Sequence, residues 1–470
     1  MSGAAPLWTA AEIARATGGI VHGDFAAGGI AFDSREVGPG DLFVALKGEA
    51  TDGHRFVEGA FASGAAGAIV SESVDHPHVH VADTAAALDA LGRAARARTP
   101  ARIVGITGSV GKTGTKEALF DALDRAAPGR VHRSVKSYNN HTGVPLSLAR
   151  MPGDGMFGVF EMGMNHAGEL AALTRLVRPH VAVVTAIAPA HTAFFASEEA
   201  IADAKGEIFQ GLEPGGTAIV PHDSPHRDRL IAAARPHAGR IWTFGSGEGA
   251  DIRAREAVRA PSGGTLVTAA FPDSELTFTI AAAGAHWISN ALAVLGAVEA
   301  VGGDLSAAGL ALADMAGLPG RGARVMVAVD GGEALLIDES YNANPASVAA
   351  TLAVLGAEPA RRRIAVLGEM RELGDRSNRD HAALADPLLV AGVEFALLVG
   401  PGMAALAEVL EGRVDFAHVP GAAAAGDRLA QVIAPGDAVL VKGSNAVGLA
   451  RLVKRFASGE WRSGRVACSI

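Results

Sequence analysis

The sequence predicts an α/β protein of three domains, with a small N-terminal α/β domain followed by two larger α/β domains. Three observations predict this class. The chain has 470 residues, and roughly 100–200 residues per domain suggests about three domains. From about residue 100 onward, short β-branched runs alternate with helix-length segments, which is typical of mainly parallel sheets. Turn-rich stretches separate three blocks of such elements.

The composition indicates a globular chain that does not bind nucleic acid. Hydrophobic residues make up 49% and charged residues 19%, so the chain can fill buried cores and disorder is not expected. The net charge of −9 argues against the basic surface that nucleic-acid binding needs. We expect a monomer.

The single cysteine fits a protein of a reducing compartment, and the N-terminus shows no evident signal peptide. Cys468 has no partner for an intrachain disulfide, and residues 1–8 lack the basic and apolar regions of a signal peptide. The uncharged segment from Leu276 to Val298 is long enough to span a bilayer. However, Leu276–Ile280 alternates like a strand and Trp287–Val298 follows a helical pattern, so no membrane insertion is expected.

The first block, residues 1–98, is predicted to form the N-terminal domain. Its apolar runs Leu42–Ala45 and Gly67–Val70 predict strands, and Ala85–Ala97 predicts a closing helix. Thr99 precedes Pro100 and is expected to end that helix, because the residue before proline disfavours helical backbone.

The second block, residues 99–316, is predicted to form a P-loop-type, doubly wound, mainly parallel sheet. It begins with the strand Arg102–Thr107, followed by a glycine loop and a predicted helix from Lys116 to Ala126. The later strands are expected at Phe157–Glu161, Val181–Thr185 and Thr217–Val220.

The third block, residues 317–470, is predicted to form a Rossmann-like α/β domain. It follows a turn-rich boundary at Gly317–Arg321. Its strands are expected at Leu335–Asp338, Ile364–Leu367, Phe395–Val399 and Ala438–Val441.

Residues Thr107–Thr113, Thr-Gly-Ser-Val-Gly-Lys-Thr, predict a phosphate-binding loop. Gly108 and Gly111 let backbone amides turn towards a phosphate, and the following helix adds its positive N-terminal end. Lys112 is expected to reach the β- and γ-phosphates, and Thr113 to offer its hydroxyl to Mg²⁺. One glycine of the general motif is absent, so a simple glycine turn with a solvated lysine is the alternative. The strand before and the helix after the loop favour nucleotide binding.

Three further residues are candidates for a metal site. Glu161 ends an apolar strand beside the phosphate-binding loop, where carboxylates commonly hold Mg²⁺; a helix-capping or salt-bridged glutamate is the alternative. His191 follows the next strand, and its residue pattern alone does not separate a ligand from a packed histidine. Lys205 lies on a predicted helix and, taken alone, resembles a surface lysine.

Several motifs occur together and in order along the chain, and the combination resembles the Mur ligases over essentially its whole length. Two motifs of the third block, and Phe32–Ala45 in the first, resemble in particular the member that adds D-alanyl-D-alanine to a UDP-linked muramoyl tripeptide. The motifs begin at Thr107, Ser137, Glu161, Ala190, Ala204, His286, Asp338 and Leu367.

The resemblance implies that the chain binds ATP and two Mg²⁺ ions. Thr113 and Glu161 are expected to hold the first ion, and Glu161, His191 and a carbamylated Lys205 the second. Carbamylation turns the amine into a carboxylate-like ligand that a hard divalent metal accepts. The ATP phosphates are expected on Lys112 and on the loop residues Gly108, Ser109, Gly111 and Thr113.

The resemblance also assigns nucleotide contacts outside the loop. Asn290 is expected to contact adenine, and Arg321 to close on the γ-phosphate from the third domain. Asp338, Tyr341 and Asn342 are expected to line the nucleotide from that side.

The UDP end of the substrate is expected near Asp33, Ser34 and Arg35. Three positions depart from the family pattern. Gly114 stands where threonine is frequent, and Asn445 where arginine is common, which puts a substrate-carboxylate role at that position in doubt. Glu339 stands where aspartate is usual, and leaves open whether Asp338 or Glu339 contacts the ribose.

The implied function is an ATP-dependent ligase that joins D-alanyl-D-alanine to UDP-N-acetylmuramoyl-tripeptide through an acyl phosphate. Another Mur-family or folylpolyglutamate-type amide ligase is the nearest alternative, and a P-loop ATPase switch or a non-catalytic UDP-sugar-binding protein are more distant ones. The third residue of the tripeptide, diaminopimelate or lysine, and the general base are left open by the sequence.

Overall fold

The computed structural model describes residues 5–48, 51–189, 194–260, 264–282, 284–315 and 317–462. Three residues named above, Ala190, His191 and Cys468, lie outside the described residues. The described part of the chain forms a two-stranded pair and sheets of five, nine and six strands that follow one another along the sequence.

The five-stranded sheet belongs to the first block and has the order β2-β7-β6-β5-β4. Only β2 pairs antiparallel with its neighbour, and β1 pairs with β3 outside this sheet. The elements are β1 (Trp8–Thr9), α1 (Ala10–Thr17), β2 (Ile20–His22), β3 (Ala26–Ala27), β4 (Gly29–Ala31), β5 (Asp41–Val44), α2 (Val57–Ala62), β6 (Gly67–Val70), β7 (His78–His80) and α3 (Thr84–Arg98).

The nine-stranded sheet belongs to the second block and has the order β16-β15-β14-β13-β12-β11-β8-β10-β9. Its elements are β8 (Arg102–Thr107), α4 (Lys112–Ala126), β9 (Val131–Arg133), α5 (Gly143–Ala149), β10 (Phe157–Glu161), α6 (Glu169–Val177), β11 (Val181–Val184), α7 (Glu198–Gly206), β12 (Thr217–Pro221), α8 (Arg227–Ala234), β13 (Arg240–Gly245), β14 (Ile252–Arg259), β15 (Thr265–Ala270), β16 (Glu275–Ile280), α9 (His286–Val301) and α10 (Leu305–Asp314).

The six-stranded sheet belongs to the third block and has the order β17-β18-β22-β19-β20-β21. Its elements are β17 (Ala323–Val329), β18 (Gly332–Glu339), α11 (Pro345–Ala357), β19 (Arg362–Gly368), α12 (Ser377–Ala382), α13 (Ala385–Val390), β20 (Phe395–Val399), α14 (Ala404–Leu410), β21 (Asp415–Val419), α15 (Ala422–Val432), β22 (Asp437–Lys442) and α16 (Leu449–Ala457).

Each large sheet has a hydrophobic core on both faces. In β8, Val104 and Ile106 face one core while Ile103 faces the other, because successive side chains of a strand point to opposite faces. In β19, Leu367 likewise faces one core and Val366 faces the other. Helices cover both faces, so the predicted doubly wound α/β class is confirmed. The division into domains at residues 98 and 316 remains a prediction.

The strand pairing is mainly parallel, with antiparallel edges that the sequence analysis did not anticipate. From β9 to β14 every neighbouring pair of the nine-stranded sheet is parallel, and β15 and β16 then extend it antiparallel. In the six-stranded sheet only β17 pairs antiparallel.

The end of β8 is a switch point in the central sheet. The strands that follow β8 directly, β9 and β10, lie on one side of it, whereas β11 and β12 lie on the other. Connections that leave in opposite directions open a crevice at the carboxyl ends of the strands, where α/β proteins bind ligands. The predicted phosphate-binding loop starts at this point.

One predicted helix begins at a different residue in the structure, and one predicted strand–helix segment is observed. The helix expected from Lys116 begins earlier, at Lys112, because Gly111 adopts a left-handed conformation (φ 86°) that lets the chain turn directly into the helix. Leu276–Val298 contains a strand and a buried helix, as expected. No helix within the described ranges is long and apolar enough to cross a membrane.

Buried histidines are expected to make the fold sensitive to acid. Burial lowers the pKa of His132, His180 and His286 to about 4. Between about pH 6.5 and pH 4 the unfolded chain therefore binds more protons than the folded chain, so the free energy of unfolding falls as the pH falls. His132 alone contributes up to about 3 kcal/mol of this loss.

Chemical denaturation at several pH values measures this effect. His132→Gln is expected to flatten the pH dependence, whereas His237→Gln, at an exposed position, should leave it unchanged. An equally steep loss in the His132 variant would contradict the assignment.

Candidate active site

A cavity of about 480 Å³ lies at the carboxyl ends of the central strands. One wall includes the predicted phosphate-binding loop and the start of α9, and the opposite wall includes the segment just before β17 and the segment that follows β18. The predicted residues that line it are Ser109, Gly111, Lys112, Thr113, Glu161, Asn290, Arg321, Tyr341 and Asn342.

The loop after β8 has a backbone that only glycine fits well. Gly108 and Gly111 have φ values of 152° and 86°, and a Cβ on Gly108 would lie 2.0 Å from Thr185 Oγ1. Thr185 in turn donates to the carbonyl of Val110 at 2.6 Å. The loop is therefore held in place by the end of β11.

Lys112 is the first residue of α4, and its ammonium donates to the carbonyl of Gly108 at 2.6 Å. Burial lowers the pKa of Lys112, an effect that the carboxylate of Glu161 partly offsets. The loop thus presents backbone amides, a lysine and a helix N-terminus to one point, which is the chemistry of a phosphate site.

Glu161 ends β10 beside this loop and is 2% exposed. Thr113 Oγ1 donates to its Oε2 at 2.7 Å, and Asn139 Nδ2 donates to its Oε1 at 2.7 Å. Both carboxylate oxygens are therefore oriented by hydrogen bonds. Glu161 and the Thr113 hydroxyl are adjacent oxygen ligands of the kind that Mg²⁺ prefers.

Lys205 lies on α7 and is completely buried, so it is not the surface lysine that the residue pattern taken alone indicates. Its amine has no hydrogen-bond partner among the described residues, and burial lowers its pKa well below the ordinary value. The positive charge of the Lys112 ammonium lowers the pKa of Lys205 further. His191 lies outside the described residues, so its position relative to Lys205 is left as predicted.

Arg321 and Tyr341 reach the cavity from the third block. The guanidinium of Arg321 lies 4.2 Å from the centre of the Tyr341 ring, within the range of a cation–π interaction. The Tyr341 hydroxyl donates to Ser137 Oγ in the second block. This hydrogen bond connects the two walls of the cavity.

The two neighbouring carboxylates Asp338 and Glu339 have different surroundings. Asp338 is buried, and its oxygens accept from the backbone of Gly320 at 2.7 Å and from the hydroxyl of Ser340 at 2.6 Å. Glu339 lines the cavity and forms an ion pair with buried Lys442 at 3.5 Å. Burial raises the pKa of Glu339, and Lys442 partly offsets this.

The start of α9 forms the wall near the loop. Asn290 Oδ1 lies 2.9 Å from the position that a Cβ on Gly111 would occupy, so the amide side chain is close to the loop backbone. The Trp287 ring would be 3.1 Å from a Cβ on Gly114. The glycine that departs from the family pattern therefore leaves room for this indole.

Asp33, Ser34 and Arg35 lie away from the cavity. Arg35 is 87% exposed and pairs with Asp33 at 2.6 Å, which lowers the pKa of Asp33 to about 2. The next residue, Glu36, accepts from the Tyr138 hydroxyl at 2.8 Å. Asn445 is exposed and does not line the cavity.

Sequence reasoning assigned no role to Asn139, Ser137 or Lys442. Asn139 and Ser137 belong to the motif that begins at Ser137, but their partners Glu161 and Tyr341 are 22 and 204 residues distant along the chain. The local pattern of a single sequence does not contain such pairings. Lys442 ends an apolar strand, which is the signal that could have drawn attention to it.

Fold and site together define the class of a nucleotide-binding enzyme. Its site has a buried carboxylate suited to bind a metal ion, and the third block supplies an arginine to the same cavity. Comparison with known families agrees. The Mur ligase middle domain matches residues 106–298, the Mur ligase glutamate ligase domain matches 323–445, and the Mur ligase family catalytic domain matches 27–101.

Individual relatives cover nearly the whole chain. The UDP-N-acetylmuramoyl-tripeptide--D-alanyl-D-alanine ligase of Escherichia coli (strain K12) is 34% identical, over 93% of this chain and 95% of that protein. A crystal structure of MurF from Acinetobacter baumannii has a TM-score of 0.82 at 32% identity, covering 96% of this chain and 99% of that one. MurF ligase from Thermotoga maritima in complex with ADP has a TM-score of 0.76 at 28% identity, covering 93% and 98%.

The chain belongs to the Mur ligase family. It is accordingly an ATP-dependent ligase that forms an amide bond.

Proposed function

We propose that this ligase joins D-alanyl-D-alanine to UDP-N-acetylmuramoyl-tripeptide and converts ATP to ADP and phosphate. The observation that carries the proposal is the cavity where Lys112, Glu161 and Arg321 meet. Relatives named for this reaction cover more than nine-tenths of the chain, which supports the choice of substrates. We infer that the protein acts as a monomer in the cytoplasm, where ATP and nucleotide-linked precursors are present.

The reaction needs activation because a carboxylate is a poor acyl donor. An oxygen of the tripeptide's terminal carboxylate attacks the γ-phosphorus of ATP, the bond to the β-phosphate oxygen breaks, and ADP leaves. The amine of D-alanyl-D-alanine then attacks the carbonyl carbon of the acyl phosphate. Phosphate leaves with the bonding electron pair, and the amine loses one proton. No nucleophile from the protein is needed.

Positioning and charge neutralisation account for the protein's part. Two anions, the carboxylate and the γ-phosphate, must approach each other in a site that excludes bulk water. Lys112 and the loop amides bind the phosphates, and Arg321 approaches them from the third block. Oriented cations of this kind stabilise the developing charge of phosphoryl transfer.

We further propose that the site holds a pair of Mg²⁺ ions. We assign Thr113 and Glu161 to the first ion, and Glu161, His191 and carbamylated Lys205 to the second. The amine of Lys205 is buried and has no hydrogen-bond partner in the part of the chain that the structure describes, which supports the carbamate, because CO₂ would convert an unfavourably placed cation into an oxygen ligand. Bound Mg²⁺ would neutralise phosphate charge.

The nucleotide and the UDP group are assigned to separate places. We assign adenine to Asn290 and the ribose side to Tyr341 and Asn342 with one of the two adjacent carboxylates. The UDP end of the substrate is assigned to Asp33, Ser34 and Arg35, where the exposed Arg35 guanidinium is a suitable partner for a diphosphate.

Arg321 reaches its working position through the segment that contains Gly320. Gly320 and Gly322 both have positive φ values, 75° and 88°, and the Gly320 amide donates to Asp338. Closure of the third block would change backbone angles in this region, which makes residues 317–320 the proposed hinge.

Glu339, rather than Asp338, is expected to contact the ribose. Glu339→Gln should therefore raise the KM for ATP several-fold, and it should also lower stability because the buried Lys442 ammonium loses its ion-pair partner. Asp338→Asn should mainly lower stability, by about 1–3 kcal/mol, because it weakens hydrogen bonds that hold the Gly320 turn. Thermal melts and ATP titrations of both variants measure this. A larger KM effect in a fully stable Asp338→Asn variant would reverse the assignment.

Phosphate release with product mass analysis tests the proposed function. The enzyme is given ATP, Mg²⁺ and UDP-N-acetylmuramoyl-tripeptide, with D-alanyl-D-alanine present or omitted. Release that requires both substrates, together with a product heavier by the dipeptide, supports the proposal. Turnover with a different amine acceptor would favour another amide ligase, and release without either substrate would favour a P-loop switch. Parallel reactions with diaminopimelate- and lysine-containing tripeptides identify the third residue.

A further inference from the structure

Lys116 is a completely buried lysine with no part in the assigned chemistry. It lies on α4, one turn after Lys112. Its ammonium donates to the carbonyls of Ser134 at 2.9 Å and Lys136 at 2.8 Å, and it pairs with Glu117 at 2.8 Å. Lys136 has a φ of 53°, which is unusual for a residue other than glycine. The bond from Lys116 holds this backbone conformation.

The segment 134–139, here named the anchored loop, orients the carboxylate of Glu161. Ser134 Oγ accepts from the Glu161 amide at 3.1 Å. At the other end of the loop, Asn139 Nδ2 donates to Glu161 Oε1 at 2.7 Å, and the Asn139 carbonyl accepts from the Gly163 amide at 2.7 Å. The main chain and the side chain of Glu161 therefore both depend on the position of the anchored loop.

The same loop also contacts the other two blocks. Tyr138 donates to Glu36 of the first block at 2.8 Å, and Lys136 forms an ion pair with the same carboxylate. Ser137 Oγ accepts from the Tyr341 hydroxyl of the third block. Six consecutive residues thus connect the proposed UDP side, the proposed metal carboxylate and the block that supplies Arg321.

We propose that Lys116 is a positioning residue of the ligase reaction, whose buried ammonium fixes the anchored loop and thereby orients Glu161 and the contact surface for Tyr341. A buried ammonium is costly unless its donors are satisfied, and two of its three partners here are carbonyls of this loop. The side chain therefore stabilises one loop conformation rather than a general packing arrangement. The kinetic part of the test rests on the proposed function, and the structural part does not.

Lys116→Met and Lys116→Arg test the proposal, with Arg96→Met as a matched control. Methionine keeps the length of the side chain and removes the charge and the donors. Glu117 keeps a partner in these variants, because Arg133 also pairs with it at 2.8 Å. Arg96 is another buried cation, on α3 of the first block, and it bonds two backbone carbonyls and the carboxylate of Glu213 of the second block, away from the cavity.

Three measurements are made at a temperature where circular dichroism shows every variant folded. They are hydrogen exchange of residues 134–139, the dissociation constant for ADP, and kcat/KM for the UDP-linked tripeptide. Lys116→Met should exchange faster in the anchored loop and lose about 10- to 100-fold in kcat/KM, with ADP affinity within about 2-fold of wild type. Lys116→Arg should recover part of the loss. Arg96→Met should melt earlier with unchanged exchange in the loop and unchanged kinetics.

Two results would overturn the proposal. One is a Lys116→Met variant whose loop exchange and kinetics equal those of wild type. The other is an ADP affinity that falls by the same factor as kcat/KM, which would assign Lys116 to the nucleotide helix alone. A wild-type enzyme without dipeptide addition would contradict the proposed function, and hydrogen exchange would still decide the role of Lys116.

Discussion

Replacing Arg321 by alanine is expected to lower kcat by about 10³–10⁵-fold, the range found when a cation is lost from phosphoryl transfer. The KM for ATP should change much less, because the phosphate-binding loop and Asn290 remain. The guanidinium lines the cavity on the side opposite Lys112 and lies over the Tyr341 ring. Its main effect is therefore expected in the transition state, where charge develops on the transferred phosphoryl group.

Arg324→Ala is the matched control for this prediction. Arg324 lies on β17 and pairs with Glu358 through two hydrogen bonds of 2.6 Å. Neither residue lines the cavity of about 480 Å³ described above. Its loss should lower the melting temperature slightly and leave kcat unchanged. Initial rates of phosphate release with both substrates present measure the contrast. A loss of kcat of less than about tenfold in Arg321→Ala would remove Arg321 from the chemical step.

Lys205→Met is expected to reduce activity and to increase stability. Loss of a metal ligand should lower kcat by at least about 10²-fold. In buffer free of CO₂ and metal, the same change should raise the free energy of unfolding by about 1–3 kcal/mol, because it removes a buried amine that has no partner among the described residues. A purely structural lysine would not give opposite signs for the two measurements.

Carbon dioxide and a surface control sharpen this test. Wild-type activity should fall in CO₂-free buffer and return when bicarbonate is added, whereas Lys205→Met should not respond. Lys454→Met, at an exposed position of α16, should match wild type in both measurements. Full activity of Lys205→Met, or wild-type activity independent of CO₂, would contradict the carbamate assignment.

Alternation of apolar strands and helices predicted the doubly wound class and several strand bounds. Arg102–Thr107, Phe157–Glu161 and Phe395–Val399 are observed as expected. These strands are buried on both faces, so they appear as continuous β-branched and aromatic runs in the sequence. The strands β14 and β15 were not anticipated, because charged and small residues interrupt their apolar pattern.

The place of the predicted phosphate-binding loop was determined by the sequence itself. A glycine loop between a strand and a helix is a local arrangement, and its conformation depends on a few consecutive residues such as Gly108 and Gly111. Glu161 was found for a related reason, because a carboxylate that ends an apolar strand falls at the ligand-binding edge of a parallel sheet.

Only the tertiary structure decided which polar residues meet. It brings Asn139 to Glu161 and Tyr341 to Ser137, and buries Lys116 beneath the anchored loop. It also gives two adjacent carboxylates different surroundings. Asp338 accepts a hydrogen bond from the Gly320 amide, whereas Glu339 lines the cavity. Burial and long-range hydrogen bonds depend on how sheets and helices pack, and a lysine or an asparagine has the same local pattern in a core as on a surface.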